Sequence, residues 1–101
     1  MAIVAVSVTP IGTGEPGVSR YVAAATRVLA AYPNLTYRLD PMFTTIQGDL
    51  REIFAAIADM HEAVARAGAV RISSVIKVDD RRDKTVAMEE KVRSVQRHLG
   101  E

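Results

Sequence analysis

The chain has 101 residues, 49% of them hydrophobic and 25% charged. That is the composition of one soluble globular domain spanning residues 1–101, not of a disordered, fibrous or membrane chain. Thirteen Lys and Arg against twelve Asp and Glu leave a net charge of +1, too little for neutralisation of phosphates to drive nucleic-acid binding. The absence of cysteine excludes disulfides, thiol nucleophiles, zinc–thiolate centres and iron–sulfur clusters.

Apolar stretches are only a few residues long, and no basic segment precedes a hydrophobic run near Met1. The expectation is a cytoplasmic protein without membrane contact. In chain order, Ala2 to Thr9 reads as a strand, with Val4, Val6 and Val8 on one face and Ile3, Ala5 and Ser7 on the other. Pro10 to Gly17 holds three glycines and two prolines and reads as a loop leading to Ser19 as an N-cap. A helix follows, with Val18, Val22, Ala25, Val28 and Leu29 at helical spacing, and Tyr32-Pro33 ends it.

Leu35, Tyr37 and Leu39 alternate with Thr36 and Arg38. After Asp40-Pro41, Met42, Thr44 and Ile46 alternate with Phe43, Thr45 and Gln47, giving a hairpin. Asp49 and Glu52 have capping-box spacing and open a second helix whose stripe is Leu50, Ile53, Phe54, Ile57, Met60, His61 and Val64, closed at Gly68. Val70 to Val78 alternates as a fourth strand, and Asp79 to Lys84 forms a charged, salt-bridged turn able to reach a neighbouring subunit. Thr85 is the expected cap of a third helix with Val86, Met88, Val92, Val95 and Leu99 on one face and Arg97 and His98 at its negative end.

The order βαββαβ plus a helix predicts an α+β, ferredoxin-like sandwich: a four-stranded antiparallel sheet with two helices on one face and an additional C-terminal helix. The other face would carry Ile3, Ala5, Ser7, Arg71, Ser73, Val75 and Lys77, with Thr36 and Arg38 alongside. It is too apolar to be merely solvated, so a homo-oligomer is expected.

Candidate chemistry is sparse. Gly12 to Gly17 fits G-x-G-x-x-G, yet Glu15 opposes a pyrophosphate and no further crossover completes a dinucleotide-binding half. An acylphosphatase-type phosphate cradle lacks its partner asparagine, since the one Asn, Asn34, sits beside a proline at a helix end. The segment MFTTIQG carries no basic or spaced aromatic residues for stacking bases. His61 and His98 have no second ligand nearby, and Arg81 and Arg82 neutralise Asp79, Asp80 and Asp83 as a metal set. No catalytic residues, cofactor or metal are therefore assigned. The remaining constellation is Thr45 and Gln47 with Phe43 on one face of the third strand. A hydroxyl, an amide and a ring in such a place fit a flat, hydrogen-bonding ligand, or equally a half-buried strand edge.

In Pro10-Ile11-Gly12-Thr13, Ser19 to Ala25, Thr45 to Asp49, His61 to Val64, Lys77 to Lys84 and Glu90 to Val95 the chain resembles the small thiamine-binding-like proteins, relatives of the YkoF hydroxymethylpyrimidine/thiamine-binding proteins. The resemblance implies a homotetramer built as a dimer of dimers through sheet faces, and non-catalytic binding of thiamine, thiamine phosphate or hydroxymethylpyrimidine. It implies a ligand site on the third strand near a subunit interface, at Thr45 and Gln47 with Phe43 adjacent; Ser7 of the first strand is a further candidate. The family usually has Glu in place of Gln47 and a small residue in place of Phe43. A primary amide still answers an aminopyrimidine, donating to the ring nitrogen and accepting from the amino group. It lacks the charge that favours a cation. Phe43 either lies against a cationic ring, worth ~0.5–2 kcal/mol, or fills the pocket. The alternative is a structural or regulatory ACT-like oligomeric module with a different small ligand or none.

Overall fold

The computed structural model describes residues 1–100. Strand β1 (Ala2–Pro10) is followed by helix α1 (Ser19–Arg27), which tightens into a 3₁₀ turn over Val28–Ala31 before Tyr32-Pro33 stops it. Strands β2 (Thr36–Leu39) and β3 (Thr44–Gly48) form the hairpin. Helix α2 (Leu50–Arg66), strand β4 (Ile72–Asp80) and helix α3 (Met88–Leu99) complete the chain. The sheet order is β2-β3-β1-β4, antiparallel throughout, which is the ferredoxin-like arrangement with a C-terminal helix.

Period-two alternation sets the layers. Residues Ala2, Val4, Val6 and Val8 of β1 and Thr44 and Ile46 of β3 are buried against α1 and α2, while their neighbours point to the opposite, open face. Val4, Val6, Ile46, Ile53 and Val64 are the largest fully enclosed side chains. Asp49 caps α2 as its spacing predicts, accepting from the Glu52 amide at 3.0 Å.

Four local expectations are corrected. Helix α1 begins at Ser19 after Val18, and no side chain caps it. Its buried stripe is Tyr21, Ala25 and Leu29, because burying Tyr21 under the Arg20 guanidinium, 4.0 Å from the ring centroid, outweighs burying Val18 and Val22. Phe54 is 43% exposed, on the flank of α2 beyond the sheet's reach. β4 starts two residues later than its alternation begins: Val70 is 98% exposed, outside the ladder that pairs Pro10 with Ile72.

The fourth correction concerns α3. Thr85 does not cap it; the helix follows Ala87 without a local side-chain cap. Its first amide, on Met88, donates instead to Gln47 Oε1 at 2.8 Å. Met88 is buried, but Val92, Val95 and Leu99 of the same stripe are exposed. The molecule measures 46 × 28 × 19 Å with a radius of gyration of 14.9 Å, against about 13 Å for a compact domain of this length.

Candidate functional site

Register fixes what meets what on the open face. Ile3 of β1 lies opposite Gln47 of β3 on one side and Asp79 of β4 on the other, with Thr36 beyond Gln47. The next row is Arg38, Thr45, Ala5 and Lys77. Ser7 lies opposite Val75 and shares a 3.3 Å hydrogen bond with Thr9.

The expected ligand residues are therefore strung along the face. Gln47 and Thr45 are two residues apart on one side of β3, but Phe43 lies four residues from Gln47, about 13 Å at strand rise. Ser7 is displaced equally along β1. Phe43 and Ser7 line a narrow crevice of about 60 Å³ with Pro41, Met42 and Met60, too small for a ring system. The structure brings Thr45 and Gln47 together and does not bring Phe43 to Gln47.

Beside Gln47, α3 roofs a cavity of about 350 Å³ lined by Met1, Ile3, Asp79, Arg81, Lys84, Val86, Glu90, Lys91, Ser94 and Val95. This is within the range of small-molecule sites, with an aliphatic floor and convergent polar groups. A wider, mainly apolar groove runs between α1 and β2 past Tyr37 and Leu39, with Ser19, Thr26, Arg27 and Asp40 as its other polar lining.

The roof is fastened at two points. Gln47 holds the start of α3, and the Lys91 ammonium pairs with the Asp79 carboxylate on β4. That hydrogen bond, with the charge of Lys91, holds the Asp79 carboxyl below the usual carboxylate range. Glu90 is likewise lowered, chiefly by Arg97, which donates to it at 2.8 Å. In the turn below, Arg81 grips Asp83 with two hydrogen bonds of 2.7 and 2.9 Å and lowers its carboxyl, while Arg82 pairs with Asp80 at 2.8 Å. The expected salt-bridged turn is present.

Because a backbone N–H faces it, the Gln47 atom toward Met88 is the carbonyl oxygen. The Nε2 hydrogens and a second lone pair on Oε1 are left for a ligand. Sequence reasoning missed Ile3, Asp79 and Lys91 as lining residues. Alternation does place Ile3 and Asp79 on this face, but the return of α3 over them rests on a contact between residues far apart in the chain. Among the described residues no three His, Asp or Glu gather into a metal-holding group, and no helix is long and apolar enough to cross a membrane.

The sequence profile described as thiamine-binding protein matches residues 4–96. The chain belongs to the thiamine-binding protein family. It is 44% identical to the UPF0045 protein YqgV of Bacillus subtilis, over 98% of each chain. It is 49% identical to a UPF0045 protein of Mycobacterium bovis, over 96% of this chain and 93% of that one. A solved structure from Methanocaldococcus jannaschii superposes with a TM-score of 0.85 at 33% identity, covering 94% and 95% of the two chains. The ferredoxin-like sandwich is thus shared with that structure.

Proposed function

We propose that the chain is a non-catalytic, oligomeric binding protein for thiamine or a related aminopyrimidine, taken into the cavity between α3 and the open sheet face. The observation that carries this reading is the Gln47 amide: fixed by its bond to Met88, it stands just outside the cavity's lining, on the strand next to Ile3, which floors it. Its free donor and lone pair match the ring nitrogen and exocyclic amino group of an aminopyrimidine. Thr45, next along the same face, adds a hydroxyl. Ser7 and Phe43 stand too far along the strands to share this ligand. The family's description as thiamine-binding supports the same ligand class.

One feature supports a binder over an enzyme. The cavity's carboxylates are spent in ion pairs with Lys91 and with Arg93 and Arg97, not set beside a nucleophile. The open face and the bare stripe of α3 also favour assembly of several copies, in keeping with a dimer of dimers.

Calorimetry with thiamine, hydroxymethylpyrimidine and thiamine phosphate tests the reading. The wild-type chain is expected to bind at least one of them, and Gln47→Ala to weaken that binding about tenfold, the scale of one or two lost hydrogen bonds. Circular dichroism run alongside separates lost contacts from a loosened α3. Absence of heat with all three ligands sinks the proposal.

A further inference from the structure

The charged groups around the cavity under α3 are not equivalent. Arg81 is committed to Asp83 within the turn, and Glu90 to Arg97 and Arg93 within the helix. Lys84 has no carboxylate within ion-pair distance among the described residues. Asp79 differs from all of these. It begins a row that runs through Ile3 to Gln47, with Thr36 beyond; Asp79 and Ile3 line the cavity and Gln47 stands at its margin. Amide, aliphatic floor and carboxylate thus lie on three adjacent strands, about 10 Å from end to end at ordinary strand spacing. Its counterion is one long, flexible side chain, Lys91, and both partners are nearly half exposed.

An aminopyrimidine hydrogen-bonded to Gln47 lies at one end of this row, and a substituent carried over Ile3 arrives at Asp79. In thiamine that substituent is a positively charged thiazolium ring, one methylene from the pyrimidine. In hydroxymethylpyrimidine it is a neutral hydroxymethyl group. A cationic ring exchanges one positive charge for another on the carboxylate and leaves no unpaired anion. A neutral ligand gains nothing by displacing the ammonium.

We infer that Asp79 is the charge-selecting residue of this site: the positive ring of a cationic ligand takes the place of the Lys91 ammonium on the Asp79 carboxylate. The inference rests on the aminopyrimidine reading above and adds the element that Gln47, being neutral, lacks. The direction of the Asp79 shift agrees, since a neighbouring cation keeps the carboxylate ionised.

The experiment is calorimetry of thiamine and hydroxymethylpyrimidine against the wild-type chain, Asp79→Asn and Lys91→Met, with thermal unfolding of each variant. Asp79→Asn is expected to lower the ratio of thiamine to hydroxymethylpyrimidine affinity about fivefold, the scale of one partly exposed ion pair. Lys91→Met removes the competing cation and is expected to raise that ratio several-fold while keeping the aliphatic stem. A ratio unchanged in both variants overturns charge selection and leaves the binding reading standing. An equal fall for both ligands in Asp79→Asn also overturns it, assigning the carboxylate to the amino group they share. A wild-type chain that binds neither ligand overturns both.

Discussion

Gly48 shows how much a single backbone position carries. It closes β3 at φ +152°, and a Cβ there would stand 2.6 Å from Leu35 Cδ2, the end of a side chain that is itself 7% exposed. Without a Cβ the chain turns straight from Gln47 on the sheet to Asp49 at the helix cap. Gly48→Ala is expected to cost about 1–3 kcal/mol through backbone strain and displacement of Leu35, measurable as a lowered denaturant midpoint at unchanged slope. A variant as stable as the parent would show that this turn relaxes freely. At this scale the sequence was readable where the interaction is local. Asp49 and Glu52 announce their cap three residues apart, whereas Gln47 holds an amide forty-one residues away, which no spacing rule can reach. Tyr21 was hidden for a related reason: the Arg20 guanidinium that covers its ring is itself held by the Ala67 carbonyl, forty-seven residues further along.

Among the elements, β1 was legible residue by residue, because alternation reports directly which face is buried, whereas β2 is exposed on both faces and β4 begins two residues late. Helix α3 was legible as a helix with an apolar stripe, but not in its placement, since it packs on its own chain mainly through its start. That attachment depends on pH. The Asp79 carboxyl is held below its ordinary value by Lys91, so its contribution is fully present above about pH 4 and is lost as pH falls through the lowered folded-state value. Glu90, held down by Arg97, follows the same sign within the helix. Helix α3 is therefore expected to loosen in acid before α2, whose anchors are the buried Ile53, Ile57, Met60 and Val64. Amide-exchange protection factors at pH 6 and pH 3 check this. Equal retention in both helices at pH 3 would contradict it.

For the molecule as a whole, part of the exposed apolar surface lies on the open face and along α3. Val75 on the open face is 59% exposed, and Val92, Val95 and Leu99 along α3 are 43%, 59% and 69% exposed. Surface of this kind supports the proposed assembly with other copies. Light scattering at micromolar concentration is expected to give a multiple of the 11.0 kDa chain mass, four times it for the proposed dimer of dimers. Val75→Lys is expected to shift the population toward smaller species. A strictly monomeric wild-type chain would refute the assembly. Here the sequence was explicit about the uncovered face and silent about its shape, because alternation says which residues need a partner and not where that partner stands.

The two edges of the sheet differ in kind. β2 offers four residues between Pro33 and Pro41, while β4 offers nine without a proline, with Ile76 and Val78 37% and 41% exposed. Any strand pairing between copies must therefore use β4, and a two-fold pairing of that edge consumes both long edges at once. What is left at either end of the doubled sheet is β2, too short and too closely bracketed to recruit another strand. Growth in that direction terminates at two copies, so the asymmetry of the edges disfavours open-ended polymerisation.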